Sequence, residues 1–292
     1  MWTSDEFIGK AMIYGQKASD INIDETTRGL FLSITLEMLA KGLLARAHPS
    51  FIAAPKDIVE ALKAAASDKP TNTLQMGQVL DRLALIHPEL RHRLVDDLKQ
   101  FINERNAEIH SSRSSFESLG EKRWLPLVVN GIAHMADLLE KPGNPFLGKE
   151  LISRSGDFQN QNAKEREERV TQVINTVRGQ WNRIPEDEKQ ALRAGVLPSE
   201  YNEQVVCPVC GSNLTLSVGL EPVSQEVLRR EGEWDRLSVF EINRVRCKPC
   251  GFALNDPHEL AVVGLPDEVT TYQTLDWDDL YDEGYYEEYG DE

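Results

Sequence analysis

The sequence lacks any apolar run close to the roughly 20 residues that a membrane-spanning helix requires. Its first ten residues, MWTSDEFIGK, also lack the basic flank and apolar centre of a secretion signal. Together these two absences predict a cytoplasmic protein with no membrane partner. Apolar residues form 40% and charged residues 27% of the chain, which is the ordinary composition of a folded domain.

Lysine and arginine are missing from residues 251–292, which contain 13 of the 48 acidic residues. The rest of the chain has 35 acidic residues (48 less 13) against 32 basic ones, so most of the net charge of −16 lies at one end. An acidic protein of this kind can still bind a polyanion through its nearly neutral body. We predict that residues 266–292 form a disordered acidic tail, because acids, tyrosines and glycines dominate their composition. The tail is either simply solvated or imitates nucleic acid and occupies an RNA groove.

Cysteine is scarce, and its four copies form two Cys-x-x-Cys-Gly motifs, Cys207–Cys210 and Cys247–Cys250. Each motif can present two thiolates from one tight turn, and a structural zinc ion needs four in tetrahedral geometry. We therefore predict one structural Zn²⁺ per chain in a zinc ribbon over residues 201–265. A redox dithiol and an iron–sulfur cluster are the alternatives.

The 36 residues between the two motifs exceed the usual spacing of a ribbon, and we predict a helical insertion over about 223–236. Arg244, Arg246 and Lys248 flank the second motif. They are candidates for nucleic-acid contact, although three basic residues near a strand are also common as plain surface.

Residues 1–143 show apolar side chains at three- and four-residue spacing, which predicts a bundle of helices with short connections. A short helix should begin at Pro55, and the last helix of the bundle should span about 116–140. Residues 141–160 are rich in glycine, asparagine and glutamine, and this composition predicts a joint after the bundle. We predict that residues 144–200 form a helical connector. The expected fold class is mainly α, with a small β ribbon and a disordered tail.

Two stretches match an arginine followed five residues later by a histidine, Arg82 to His87 and Arg105 to His110. Spacing alone is weak evidence, because a chain with this many arginines should contain such a match by chance. Apolar residues fill the first stretch, and His87 precedes a proline at a helix boundary, so we interpret it as a helix end. In the second, polar Asn106 follows the arginine directly, and we select Arg105, Asn106 and His110 as candidate catalytic residues.

Because of Arg105, Asn106 and His110, the N-terminal half resembles a HEPN domain (higher eukaryotes and prokaryotes nucleotide-binding). Ribonucleases of that family carry an arginine, then a polar residue, then a closing histidine. The stretch SITLEMLAKGLL resembles the family's second helix, where Glu37 and Lys41 stand four residues apart. The resemblance implies supporting roles for these two residues, and the alternative is a surface ion pair.

The resemblance further implies a metal-independent endoribonuclease, with no cofactor for catalysis, in which the 2′-hydroxyl of the RNA attacks the phosphate. A histidine can transfer the protons, and an arginine can bind the phosphate. On an ideal helix Arg105 and His110 point about 140° apart. The family places two motifs in one groove by dimerising, which implies a homodimer.

The family's prokaryotic ribonucleases are commonly toxins or antiphage defence effectors, and a regulatory partner or antitoxin is then expected. The alternative function is a non-catalytic adaptor that binds nucleic acid or protein and carries a structural zinc ribbon. In that case Arg105 and His110 only cap or solvate a helix.

Overall fold

A computed structural model describes residues 3–53, 73–87, 90, 92–141, 145–195, 201, 203–219, 222–230 and 233–275. The chain divides into two compact units, Met1–Ala163 and Lys164–Glu292. The predicted fold class is confirmed, because helices dominate and the second unit contains a small antiparallel sheet. Within these described ranges, no helix has both the length and the apolar character that crossing a bilayer demands.

Helices form most of the described part of the first unit. They are α1 (Ser4–Ala18), α2 (Glu25–Ala47), α3 (Met76–Ile86), α4 (His92–His110), α5 (Ser115–Leu119), α6 (Glu121–Leu138) and the first part of α7 (Lys149–Asn182). Polar residues mark the helix starts: Thr3 and Glu6 form a capping box at α1, and the Asp24 carboxylate accepts the Thr27 N–H at 2.8 Å. A 3-10 turn, Pro49–Ile52, follows α2.

Helix α2 is the centre of the first unit, with 14 of its 23 residues buried. It packs against α1, α3, α4 and α6. Glycine is required at position 29, because a Cβ there would lie 2.8 Å from the Phe116 ring. Such an all-round buried helix explains why its apolar residues are not confined to one stripe.

Three aromatic side chains lock α4, α5 and α6 together. Phe101, Phe116 and Trp124 are fully buried, and their ring centroids lie 5.3–5.9 Å apart. Contacts of this kind contribute about 0.5–1.5 kcal/mol per pair beyond the burial of apolar area. The cluster thereby fixes the last two turns of α4, which begin just after Phe101.

In the second unit, the rest of α7 and α8 (Glu186–Ala194) precede a sheet of β1 (Thr215–Val218), β2 (Ser224–Arg230), β3 (Glu233–Arg246), β4 (Ala253–Leu254) and β5 (Glu268–Leu275). Strand β3 is central along its whole length. Its first half pairs antiparallel with β2 and β5, and its second half pairs antiparallel with β1 and β4. The hydrophobic core of the second unit includes Val170 of α7, Ile242, Val245 and Phe252.

The prediction of a helical insertion over 223–236 was wrong, because the described part of this range consists mainly of β2 and the beginning of β3. The segment is rich in helix-forming residues, but β3 gains a second partner in β5, and pairing on both sides overrides a local preference. The same pairing shows that the predicted disordered tail began too early at residue 266. Residues 276–292, which hold nine of the acidic residues, lie outside the described part of the chain, as does the helix predicted at Pro55.

The predicted joint and connector are not separate elements, because α7 is helical from Lys149 to Asn182. Leu151 belongs to the first core, whereas Val170 belongs to the second, so residues 144–200 are shared between the two units. The long helix predicted over 116–140 is interrupted at Gly120, whose φ of 80° no helix continues through.

Candidate functional site

The end of α4 and the middle of α2 form one wall of a surface groove of about 570 Å³. Arg105, Asn106 and His110 of α4 and Glu37 of α2 all line it. Gln75 at the start of α3 and Lys99 of α4 are also among its lining residues. The structure therefore brings together four of the five residues predicted for the catalytic and supporting roles.

Arg105 reaches the groove through two specific contacts of its guanidinium group. Its Nη2 donates to Glu37 Oε2 at 2.7 Å, and its Nη1 donates to Asn106 Oδ1 at 3.1 Å. The Nε atom is buried without a hydrogen-bond partner. A long side chain anchored in this way overcomes the separation of about 140° that an ideal helix imposes on Arg105 and His110.

Lys41 is buried and binds Glu37, which lines the groove. Its side chain is only 5% exposed, and Nζ lies 2.6 Å from Glu37 Oε1 and 3.1 Å from Thr73 Oγ1. The interpretation of Glu37 and Lys41 as a plain surface pair is therefore wrong. One carboxylate between two cations leaves a local charge of +1 (two minus one), which suits a bound phosphate.

His110 and Asn106 are exposed and stand four residues apart, on the same face of α4. His110 is the last residue of the helix, so its ring is accessible to a ligand in the groove. Asn106 accepts a hydrogen bond from Arg105, which leaves its amide N–H groups for another acceptor.

Two glutamates that sequence reasoning missed hold the end of α4 from its other face. Glu108 accepts the backbone N–H groups of Ser115 and Phe116 at 2.5 and 3.1 Å, and Glu104 accepts the Ser115 hydroxyl. These bonds cap α5 and fix the turn that follows His110. The signal in the sequence was a pair of acids four residues apart, directly before a serine-rich turn.

The stretch from Arg82 to His87 has a structural role, as predicted. Arg82 donates to the carbonyl oxygens of Phe51 at 2.8 Å and Ala53 at 3.4 Å, and so ties α3 to the 3-10 turn. His87 follows the last residue of α3 at the helix C-terminus. Neither residue is among those lining the groove.

The four cysteines converge in the second unit, with all Sγ atoms within 4.8 Å of one another. The Sγ atoms of Cys207 and Cys250 are 3.6 Å apart, and those of Cys210 and Cys247 are 3.3 Å apart. Zinc–thiolate bonds of about 2.3 Å in a tetrahedron place sulfurs about 3.8 Å apart, so the donor set fits a metal ion.

The two cysteine motifs have matching backbone geometry. Gly211 donates to the Cys207 carbonyl and Gly251 to the Cys247 carbonyl, each at 2.9 Å. Both glycines have φ near 75°, which explains why each motif ends in glycine. Contact with the Cys247 thiol lowers the pKa of Cys207 to about 5, and burial raises the pKa of Cys250 to about 12.

The basic residues predicted for nucleic-acid contact lie at the end of β3 and in the second cysteine motif. Arg244, Arg246 and Lys248 are exposed, while Val245 and Cys247 between them are buried. Arg244 and Arg246, two residues apart, therefore share one face of β3, and Lys248 is exposed in the turn that follows.

Comparison of the chain with protein-family models, with curated proteins and with solved structures found no match.

Proposed function

We propose that the groove between α2 and α4 is the active site of a metal-independent endoribonuclease of HEPN type. The observation that supports this most directly is the convergence of Arg105, Asn106, His110 and Glu37 in one groove, with Arg105 oriented by Glu37. A proton-transferring group and a fixed cation beside an open surface are the minimum that cleavage by the substrate's own 2′-hydroxyl requires.

In the proposed reaction the 2′-oxygen attacks phosphorus while His110 accepts its proton. The bond from phosphorus to the 5′-oxygen breaks, and that oxygen takes a proton from a second acid, for which a second copy of His110 is the candidate, and leaves as a hydroxyl. The products are a 2′,3′-cyclic phosphate and a 5′-hydroxyl end. Arg105 stabilises the charge that grows on the phosphate oxygens, and Asn106 orients either the phosphate or the arginine.

A homodimer would complete this chemistry. His110 is the only histidine among the described residues that line the groove, whereas the reaction uses one proton acceptor and one proton donor. Two copies of the groove facing each other would supply one histidine for each role. We therefore propose a dimer through the helical unit, acting in growth arrest or antiphage defence under the control of a regulatory partner.

We also propose that the four cysteines hold one structural zinc ion. Four thiolates leave no open coordination position, so the ion would stabilise the second unit without taking part in RNA cleavage. The ligands of the ion would be the thiolates of four residues alone: Cys207, Cys210, Cys247 and Cys250.

Incubation of the purified protein with total RNA in EDTA tests the nuclease proposal. We expect cleavage to 2′,3′-cyclic phosphate ends, and a loss of at least about a hundredfold in His110→Ala and in Arg105→Ala. His87→Ala is the matched control and should retain the wild-type rate, because His87 does not line the groove.

Expression in a host cell provides the complementary test. Growth arrest that His110→Ala relieves supports the nuclease, because the effect then depends on the proposed catalytic histidine. A wild-type protein that neither cleaves RNA nor slows growth would instead support the non-catalytic adaptor.

A further inference from the structure

The zinc-binding unit carries a basic stripe, defined here as Arg244, Arg246 and Lys248. All three side chains are exposed, although the chain as a whole has a net charge of −16. In the described part of the chain none of the three forms an ion pair or a side-chain hydrogen bond. The stripe therefore offers three uncompensated cations at one place.

Balancing the charge of a metal–thiolate centre does not explain the two arginines of the stripe. Side chains alternate across a strand, so Arg246 points away from the face that buries Val245 and leads to Cys247. Other cations contact the first cysteine motif: Arg178 and Arg193 approach the carbonyl oxygens of Pro208 and Cys210 at 3.4 Å.

Protection of an exposed sheet edge does not explain the stripe either. Lysine and arginine often stand on edge strands, where they prevent pairing with another chain. Arg246 pairs with Thr215 of β1 on one side and with Ala253 of β4 on the other. The end of β3 is thus an interior strand, and its cations are free for another purpose.

The spacing of the stripe suits a chain of phosphates. Residues two apart on a strand lie about 7 Å from each other, close to the distance between successive phosphates of an extended nucleic-acid strand. Thr215 and Ser217 of β1 are exposed opposite Arg246 and Arg244 and add hydroxyl donors beside the cations. Pairing of β3 on both sides makes the platform rigid, so little conformational entropy is lost on binding.

We propose that the basic stripe binds the phosphate backbone of single-stranded RNA without reading its sequence. The sequences 213–218 and 243–248 contain no aromatic residue on which a base could stack, so contact with phosphates would dominate. The choice of RNA rests on the proposed ribonuclease function, for which the stripe would hold the substrate.

Fluorescence anisotropy of the full-length protein with a labelled 2′-O-methyl oligouridylate of 12 nucleotides tests the stripe. This strand has no free 2′-hydroxyl, so binding is measured without cleavage. The variant R244Q/R246Q/K248Q should bind at least about tenfold more weakly at low salt. Loss of three phosphate contacts should also reduce the slope of log K against log salt by about 2, since each contact with a single strand contributes about 0.7.

The matched control is K10Q/K149Q/R183Q, which removes the same charge from exposed positions outside the stripe. Zinc content and circular dichroism of both variants should equal those of the wild type. The proposal is overturned if the stripe variant keeps the wild-type affinity and salt slope, if the control loses as much, or if polyglutamate binds more tightly than the RNA strand. Because the probe cannot be cleaved, the assay measures binding alone. A groove that lacks catalytic activity therefore leaves the measured affinity unchanged, whereas a stripe that does not bind RNA removes the effect of the stripe variant.

Discussion

Among single residues, Glu37 links the two helices that form the groove. It lies 68 residues before Arg105 in the sequence, yet the two side chains meet at 2.7 Å, and its other oxygen holds the buried Lys41. A carboxylate that compensates one buried and one half-buried cation serves stability and the position of Arg105 together.

Glu37→Gln tests that double role. The amide keeps the shape of the side chain but removes the charge, so Lys41 loses its counter-charge and unfolding should become easier by about 2 kcal/mol. RNA cleavage should fall as Arg105 loses its anchor. Urea denaturation measures the first effect and a cleavage assay the second.

Asp81→Asn is the control for this change, because Asp81 pairs with Lys99 at 2.5 Å and its side chain is 57% exposed. Exposed pairs contribute about 1 kcal/mol or less, so this variant should be close to the wild type in stability. An equal loss of stability in Glu37→Gln and Asp81→Asn would refute the special role of Glu37.

Local sequence patterns predicted those functional residues that lie close together along the chain. The cysteine motifs and the run from Arg105 to His110 are each visible within a few residues of chain. The contact of Glu37 with Arg105, 68 residues apart in the chain, depends on tertiary packing and so does not follow from spacing.

At the level of secondary-structure elements, β3 shows why local preference failed. Residues 223–236 are compatible with a helix in isolation, but β2 pairs with the first half of β3, and β5, more than 30 residues later, pairs with the other side of that half. Such long-range pairing is invisible to periodicity. The same long strand carries the second cysteine motif at its end, so its conformation and the metal centre belong to one element.

Metal analysis tests the centre at which β3 ends. The purified protein should contain about one zinc per chain, and Cys247→Ser should lose it, because three thiolates bind zinc far less firmly than four. Ser212→Ala is the control: Ser212 touches only the Cys210 sulfur through its hydroxyl, so zinc content should be unchanged.

Circular dichroism after metal removal gives a second measurement. The helices of the first unit should persist, since their core contains none of the four cysteines. A Cys247→Ser protein that still holds one zinc per chain would contradict the proposed ligand set.

Across the whole molecule, charge is distributed very unevenly. Residues 276–292 contribute −9 of the net charge of −16, and they follow directly after β5. We expect this concentration of negative charge to compete with a polyanion for the basic stripe and for the groove, because all three belong to the same chain.

Removal of residues 276–292 should therefore raise the affinity for RNA, by about threefold or more at low salt, with a smaller gain at high salt because charge is screened. The cut leaves β5 intact, unlike one at residue 266. Replacing the nine acids with asparagine and glutamine keeps the length and should reproduce the gain. Unchanged affinity in both variants would show that the segment is merely solvated.

The course of α7 through both units has a consequence for the order in which the protein forms during synthesis. The core of the first unit includes Phe146, Leu147 and Leu151, and Phe158 packs against it. A ribosome must therefore release about 160 residues, well past the groove-forming helices, before that core can close. Until then Arg105 and His110 lie on an unfinished bundle, so a nascent chain would acquire the proposed nuclease activity only after α7 has begun to emerge.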